Sequence, residues 1–133
     1  MTQAEGTYAE LVVAKEDDVF AIPDSLGAAA GAALGAPYMT AWWSIVELGG
    51  LKERQTLLVQ GTSTATGQAS VDIGKALGAT VYATAPAEKL DAVRALGAEA
   101  LGYGDPRVRQ LANVVFDPIG ADTFTDSVEA LAQ

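Results

Sequence analysis

Between Leu57 and Ala85 the sequence LLVQGTSTATGQASVDIGKALGATVYATA runs from consecutive apolar residues through small hydroxyl residues. It continues through apolar positions at helical spacing to a β-branched run. This succession predicts a strand, a seven-residue turn bounded by Gly61 and Gly67, a helix and a second strand. A repeat follows: KALGATVYA at 75–83 and RALGAEALG at 94–102 share a helix end, a glycine just past it and an incoming strand, 19 residues apart. That spacing is that of a short strand–helix unit.

The remaining periodicity extends the series. Leu90, Val93 and Leu96 share one face of a helix over 87–96, and a strand follows over 99–103. DPRVRQLA is a short helix opened by Asp105-Pro106, and NVVFDPI has the unbroken apolar character of a buried parallel strand over 113–118. ADTFTDSVEALAQ closes as a helix with Asp122 as its cap. The first two strands fall near 57–61 and 80–85, and the helix between them near 67–77.

Upstream, Tyr8–Ala14 reads as a strand, and Ser25 as the N-cap of SLGAAAGAALGAPYMTAWWSIVELGG. Gly35-Ala36-Pro37 divides that apolar segment into two short helices, and Gly49-Gly50 ends it. Trp42 and Trp43 fit the core of such a helix better than the wall of a ligand site, although both roles suit an aromatic.

Strands alternating with helices across short loops give an α/β fold, a parallel sheet with right-handed crossovers and helices on both faces. The expected strand order is 3-2-1-4, half of a Rossmann-like doubly wound sheet with an open edge after the fourth strand.

Composition narrows the functions. With 133 residues, half of them hydrophobic, the chain supports one ordinary core. Eight basic residues against 17 acidic ones give a net charge of −9, which disfavours nucleic acid and anionic membrane surfaces as partners. Cysteine and histidine are absent, excluding disulfides, Cys/His zinc sites, thiol nucleophiles and imidazole-based triads. Gly27, Gly31, Gly35 and Pro37 interrupt the most apolar stretch, so neither a membrane span nor a leader is expected, and the setting read from this is cytoplasmic.

In a doubly wound sheet a ligand lies outside the carboxyl ends of the strands at the point where strand order reverses, here beside 61–67. The following helix directs its unpaired N–H groups and positive dipole end there, which suits a pyrophosphate. A P-loop is excluded, because five residues separate Gly61 and Gly67 and Gln68 stands where lysine is required. The strict GxGxxG fingerprint is also absent: Ser63 and Thr64 occupy its middle.

AEGTYAELVVAKEDDVFAIPDSL, APYMTAWWSIVELGGLKERQTLLVQGTSTATGQASVDIGKALGATVYATA, EKLDAVRALGAE and NVVFDPIGADTF, in this order and spacing, resemble the middle of the medium-chain dehydrogenase/reductase family. The likeness is to its zinc-free quinone oxidoreductase and enoyl reductase branch, and covers nearly the whole chain. The resemblance implies a reductase that transfers hydride from NADPH to a quinone, enone or similar activated double bond. It also implies a GroES-like catalytic domain before this stretch and the last strands of the cofactor domain after it. Residues 1–24 then correspond to the exit strand of the catalytic domain and 25–133 to a partial dinucleotide-binding domain, the whole being a fragment or a shortened relative.

The family's pattern places the cofactor beside Gly61, Ser63, Thr64, Ala65, Thr66 and Gly67. Relatives carry glycine at the positions of Thr64 and Ala65. A side chain at Thr64 takes room beside a pyrophosphate and restricts positive φ, while the hydroxyls of Thr62, Ser63, Thr64 and Thr66 can donate to phosphate oxygens. The same hydroxyls also suit a turn that merely caps the helix. Thr84 ends the second strand where NAD-binding proteins place a carboxylate, so NAD is disfavoured, and Lys89 suits either a 2′-phosphate or bulk solvent. By the same resemblance Tyr103 lies near the adenine side, Asp117, Ile119 and Gly120 near the nicotinamide ribose, and Thr40 near the nicotinamide; Asp117-Pro118 is equally consistent with a strand terminus. Arg54 stands where relatives commonly have glycine, which strains the turn before the first strand.

These residues name no general acid, base, nucleophile or metal ligand. The expectation is the cofactor-binding portion of an NADPH-dependent quinone or enone reductase, with weak NADP binding. The alternative is a non-catalytic NADP-binding or interaction module that self-associates, and a homo-oligomer is expected in either case.

Overall fold

The computed structural model describes residues 6–132, which divide between Ala32 and Ala33 into two compact units. In the first, Tyr8–Ala14 forms bends and irregular chain instead of the expected strand, and the first regular turn is a 3₁₀ turn, Glu16–Asp18. An isolated segment has no ladder to satisfy its backbone, and among the described residues no strand pairs with this one. Leu11, Val13 and Phe20 are exposed.

One helix, α1 (Ala28–Trp42), replaces the expected pair and continues as a wider π-type turn over Trp43–Leu48. Pro37 lies inside it: proline removes one helical N–H but holds a φ that a helix accepts, so the pattern proceeds through it. Ser25 belongs to the turn before the helix and does not cap it. Ala41 and Ile45 are the buried positions, so Trp42 and Trp43 are turned outward, 45% and 61% exposed, contrary to the expected core role. Trp42 Nε1–H donates to Glu47 Oε1 at 3.0 Å.

The second unit contains the sheet: β1 (Thr56–Val59), β2 (Thr80–Ala85), β3 (Glu99–Gly102) and β4 (Val114–Phe116), all parallel in the order β3-β2-β1-β4. Between them run α2 (Ala65–Ala76) and α3 (Leu90–Ala95), the latter entered through a 3₁₀ turn at Ala87–Lys89. The 105–109 helix is reduced to a 3₁₀ turn at Pro106–Val108, with Asp105 as its cap. The last helix, α4 (Phe124–Ala130), follows a 3₁₀ turn at Ala121–Thr123; Thr123 occupies its N-cap position and the expected cap Asp122 lies within the preceding turn.

Strand alternation assigns the core. Leu57 and Val59 face α2 and α3, packing with Val71, Ile73, Val81 and Val93, whereas Leu58 faces the other way with Leu101, Val108, Ala112 and Ala130. Each of the buried Leu, Val and Ile side chains contributes on the order of 1.5–3 kcal/mol relative to exposure. Register at β4 is pinned by a reciprocal pair: Asn113 N–H donates to Thr56 O at 2.9 Å, and Asn113 Oδ1 accepts from Thr56 N–H at 2.9 Å. Outside β4, Leu131 bridges Ala112 in parallel. Before β1, Arg54 takes φ 65°, the left-handed conformation that favours glycine, so the strain expected at this turn has a backbone cause.

Candidate functional site

The carboxyl ends of the four strands bring most of the singled-out residues to one edge. At β1 the chain leaves through Gly61 with φ 66° and enters α2 at Thr64. Thr64 is extended, φ −89° and ψ 155°, so the concern about positive φ at this position falls away. Its hydroxyl works locally, donating to Gly61 O at 3.1 Å and accepting from Gly67 N–H at 3.0 Å. Gly67 is required by contact, since a Cβ there would lie 2.7 Å from Gly61 O and 3.0 Å from Thr62 Cα. A Cβ on Gly61 would in turn meet Ile119 Cδ1 at 2.9 Å, which places the loop after β4 directly against the loop after β1.

The first-turn donors of α2 can be accounted for. Thr64 N–H is taken by Gly61 O and Gly67 N–H by Thr64 Oγ1, which leaves those of Ala65 and Thr66 without an internal partner. The hydroxyls divide similarly. Thr62 is buried and donates to Thr84 O at 3.1 Å, whereas Ser63 is exposed and Thr66 half-buried, neither side chain making an internal hydrogen bond among the described residues. The turn therefore caps its helix and still presents two N–H groups and two hydroxyls.

Thr84 is only 1% exposed, and its hydroxyl donates to Gln60 Oε1, so its side chain is built into the sheet end. Sequence reasoning missed the network this begins. Gln60 Nε2–H donates to Ser127 Oγ at 3.4 Å, and Ser127 Oγ–H donates to Asp117 Oδ2 at 2.7 Å. Asp117 also accepts from the N–H groups of Ile119 at 3.0 Å and Gly120 at 2.9 Å, and from Thr123 Oγ1 at 2.8 Å. Burial pushes this carboxyl up, but the hydrogen bonds from Gly120, Ser127, Thr123 and Ile119 together hold it below the usual carboxylate value. Asp117 thus shapes the 117–120 loop with its own side chain. Partial burial, followed by the Asp117 charge, raises the Tyr103 phenol. A polar Gln directly after the apolar run Leu57–Val59 was the available signal for this network.

A cleft of about 350 Å³ opens between α2 and α3, lined by Thr62, Ser63 and Gln68 above a largely apolar wall that includes Ala85, Val93 and Leu96, with Lys89 beside it. Thr40 is exposed on α1 and does not line this cleft. A second concavity of about 390 Å³, formed by Tyr38, Met39, Trp42, Trp43 and Ile73, is almost wholly apolar. Among the described residues there is no cluster of carboxylates able to hold a metal ion, and no helix long and apolar enough to cross a membrane.

No family model matches the chain. Over 127 residues, 92% of its length, it is 34% identical to a phenolphthiocerol/phthiocerol polyketide synthase of Mycobacterium tuberculosis, of which it covers 5%. It is 36% identical over 84 residues to a quinone oxidoreductase of Pongo abelii, covering 63% of this chain and 26% of that protein. The chain thus spans about a quarter or less of these curated relatives. Among solved structures, an NAD-dependent alcohol dehydrogenase superposes with a TM-score of 0.85 at 34% identity, covering 96% of this chain and 40% of that one. The nucleotide-binding subdomain of the enoylreductase domain of PpsC from Mycobacterium tuberculosis superposes at 0.65 with 29% identity, covering 74% and 62%.

Proposed function

Because the chain belongs to the medium-chain dehydrogenase/reductase family, with quinone oxidoreductases and enoyl reductases among its relatives, we propose that it is the cofactor-binding portion of an NADPH-dependent reductase acting on a quinone or enone/enoyl group. The observation that carries this reading is the packing of Gly67 onto Gly61 at the head of α2, beside a cleft whose one charged lining residue is Lys89. A Cβ would fill that cradle, and the unpaired Ala65 and Thr66 N–H groups suit a pyrophosphate. Ser63 and Thr66 add hydroxyl donors. The Asp117–Gly120 loop, touching Gly61 through Ile119, walls the other end, with Tyr103 across the edge and Thr40 assigned to the nicotinamide on family resemblance alone.

When bound, NADPH supplies the hydride; the residues of this chain bind and orient it and contribute no acid or base. Affinity is expected to be weak, since the hydroxyls of Thr62 and Thr64 already serve internal partners. NADH is the competing cofactor. Two features favour the 2′-phosphate: Thr84 offers no carboxylate to a 2′-hydroxyl, and Lys89 stands at the cleft. Residues 1–24 as the exit of a GroES-like catalytic domain, 25–133 as a partial dinucleotide-binding domain, zinc-independence and a cytoplasmic setting all belong to the same reading.

A second reading, a non-catalytic NADP-binding or interaction module that self-associates, is favoured by the exposed face of Met39, Trp42 and Trp43. Fluorescence titration with NADPH and NADH, on the wild type and Lys89→Ala, tests the first. Tighter NADPH binding that the substitution abolishes supports it; equal affinities in the wild type defeat the 2′-phosphate assignment. Hydride transfer assayed with and without a supplied catalytic domain separates enzyme portion from module.

A further inference from the structure

The α2–α3 cleft has a closed end and an open one. At the closed end Lys75 Nζ–H donates to Leu96 O at 2.6 Å, joining the last turn of α2 to the carbonyl end of α3. Gln68 precedes Lys75 by seven residues, two helical turns, and so lies on the same side of α2, at the open end. There it lines the cleft with Ser63 and Lys89. Gln68, Ser63 and Lys89 carry neither an internal side-chain hydrogen bond nor an ion pair among the described residues. The nearby Asp91 is occupied by Arg94 Nη1 at 2.6 Å and lies outside the lining.

Unpartnered polar groups converging on a concave apolar wall are the usual composition of a ligand subsite. Lys89 is the one charged residue in the lining, the neighbouring Glu88 and Asp91 lying outside it and Lys75 being engaged with Leu96, so the lining favours an anion. We propose that Gln68 is a specificity-determining residue of this cleft, its amide N–H donating alongside Lys89 and Ser63 to the phosphomonoester on the adenosine ribose of the cofactor. This rests on the dinucleotide-binding reading. Gln68 adds a neutral donor where a carboxylate would instead accept from a ribose hydroxyl, so the residue type at position 68 decides between the two nicotinamide cofactors.

The test uses the full chain with NADPH and NADH as probes, on the wild type, Gln68→Glu and Gln68→Leu, with Thr125→Glu on exposed α4 as a charge control outside the cleft. Circular dichroism confirms that each variant is folded. Gln68→Glu is expected to weaken NADPH about tenfold or more through like-charge repulsion and to leave NADH unchanged or tighter, inverting the preference. Gln68→Leu is expected to weaken NADPH several-fold with NADH unaffected, and Thr125→Glu to leave the ratio as in the wild type. A wild type that prefers NADPH, with a ratio that Gln68→Glu leaves intact or Thr125→Glu shifts equally, overturns the role of Gln68 alone. A wild type that binds neither nucleotide overturns the underlying reading, and this inference with it.

Discussion

The carbonyl oxygen of Gly61 lies 2.7 Å from where a side chain on Gly67 would begin. The distance is set by backbone on both sides, so no rotamer can relieve an added methyl. Gly67→Ala is expected to displace the head of α2 and lower stability by about 1–3 kcal/mol, an overpacking effect. The denaturation midpoint should fall with an unchanged m-value, and nucleotide binding should fall with it.

Thr64 behaves differently from its neighbour. Its conformation is open to any residue, and its hydroxyl serves Gly67 N–H and Gly61 O. Thr64→Ala is therefore expected to destabilise by about 1 kcal/mol through loss of the cap. Thr64→Gly should cost only a few tenths and open room beside the turn, tightening NADPH binding modestly. Thermal denaturation and fluorescence titration of both variants check this, and a Thr64→Ala protein as stable as the wild type would exclude the cap.

Gln60 holds two buried hydroxyl partners at once, Thr84 and Ser127. Gln60→Leu leaves both without their amide and is expected to cost about 1–3 kcal/mol, while Gln60→Leu combined with Thr84→Val should recover part of that loss. A double-mutant cycle in urea measures the coupling.

Acid should weaken the fold through Asp105 and Asp117. Hydrogen bonds from the Arg107 side chain and N–H pull Asp105 down to about 2, and Asp117 is likewise lowered. Both then bind protons more readily in the unfolded chain. Their stabilisation is full above the ordinary carboxylate pKa of about 4 and is lost as the pH falls through the folded values. Asp117→Asn should flatten the decline in the denaturation midpoint below pH 4. Asp105 is exposed, so its share should shrink in added salt.

Arg54 offers a gain. A non-glycine residue in the left-handed region carries about 1–2 kcal/mol of strain, and glycine in exchange loses about 0.5–1 kcal/mol of chain entropy on folding. Arg54→Gly should raise stability by several tenths to about 1 kcal/mol, read as a higher melting temperature.

Period and punctuation made the sheet legible: β2 falls at 80–85 as read, β1, β3 and β4 lie within their expected windows or one residue away, and the strand order is the one expected of half a doubly wound sheet. What escaped depends on partners distant in sequence. Whether Trp42 faces core or solvent is decided by which helix side meets the sheet, and Ala41 and Ile45 took that side. Tyr8–Ala14 has strand composition, but pairing requires a neighbour. At the candidate site, Gly61 and Gly67 were legible from turn chemistry. The commitment of Thr84 to Gln60, and the place of Gln68 in the cleft, arise only when separate strands and helices are brought together.

The Thr56–Asn113 pair closes a span of 57 residues, whereas β1 meets β2 across fewer than half as many. In time, this orders assembly. The β1–α2–β2 unit can collapse on local contacts, raising the Gly61–Gly67 cradle early, while β4 must search across the longer loop before Asn113 fixes its register. The Asp117–Gly120 loop therefore arrives after the cradle it touches. In native-state hydrogen exchange the amides of β4 should open before those of β1 and β2, leaving one half of the candidate site formed and the other dissolved.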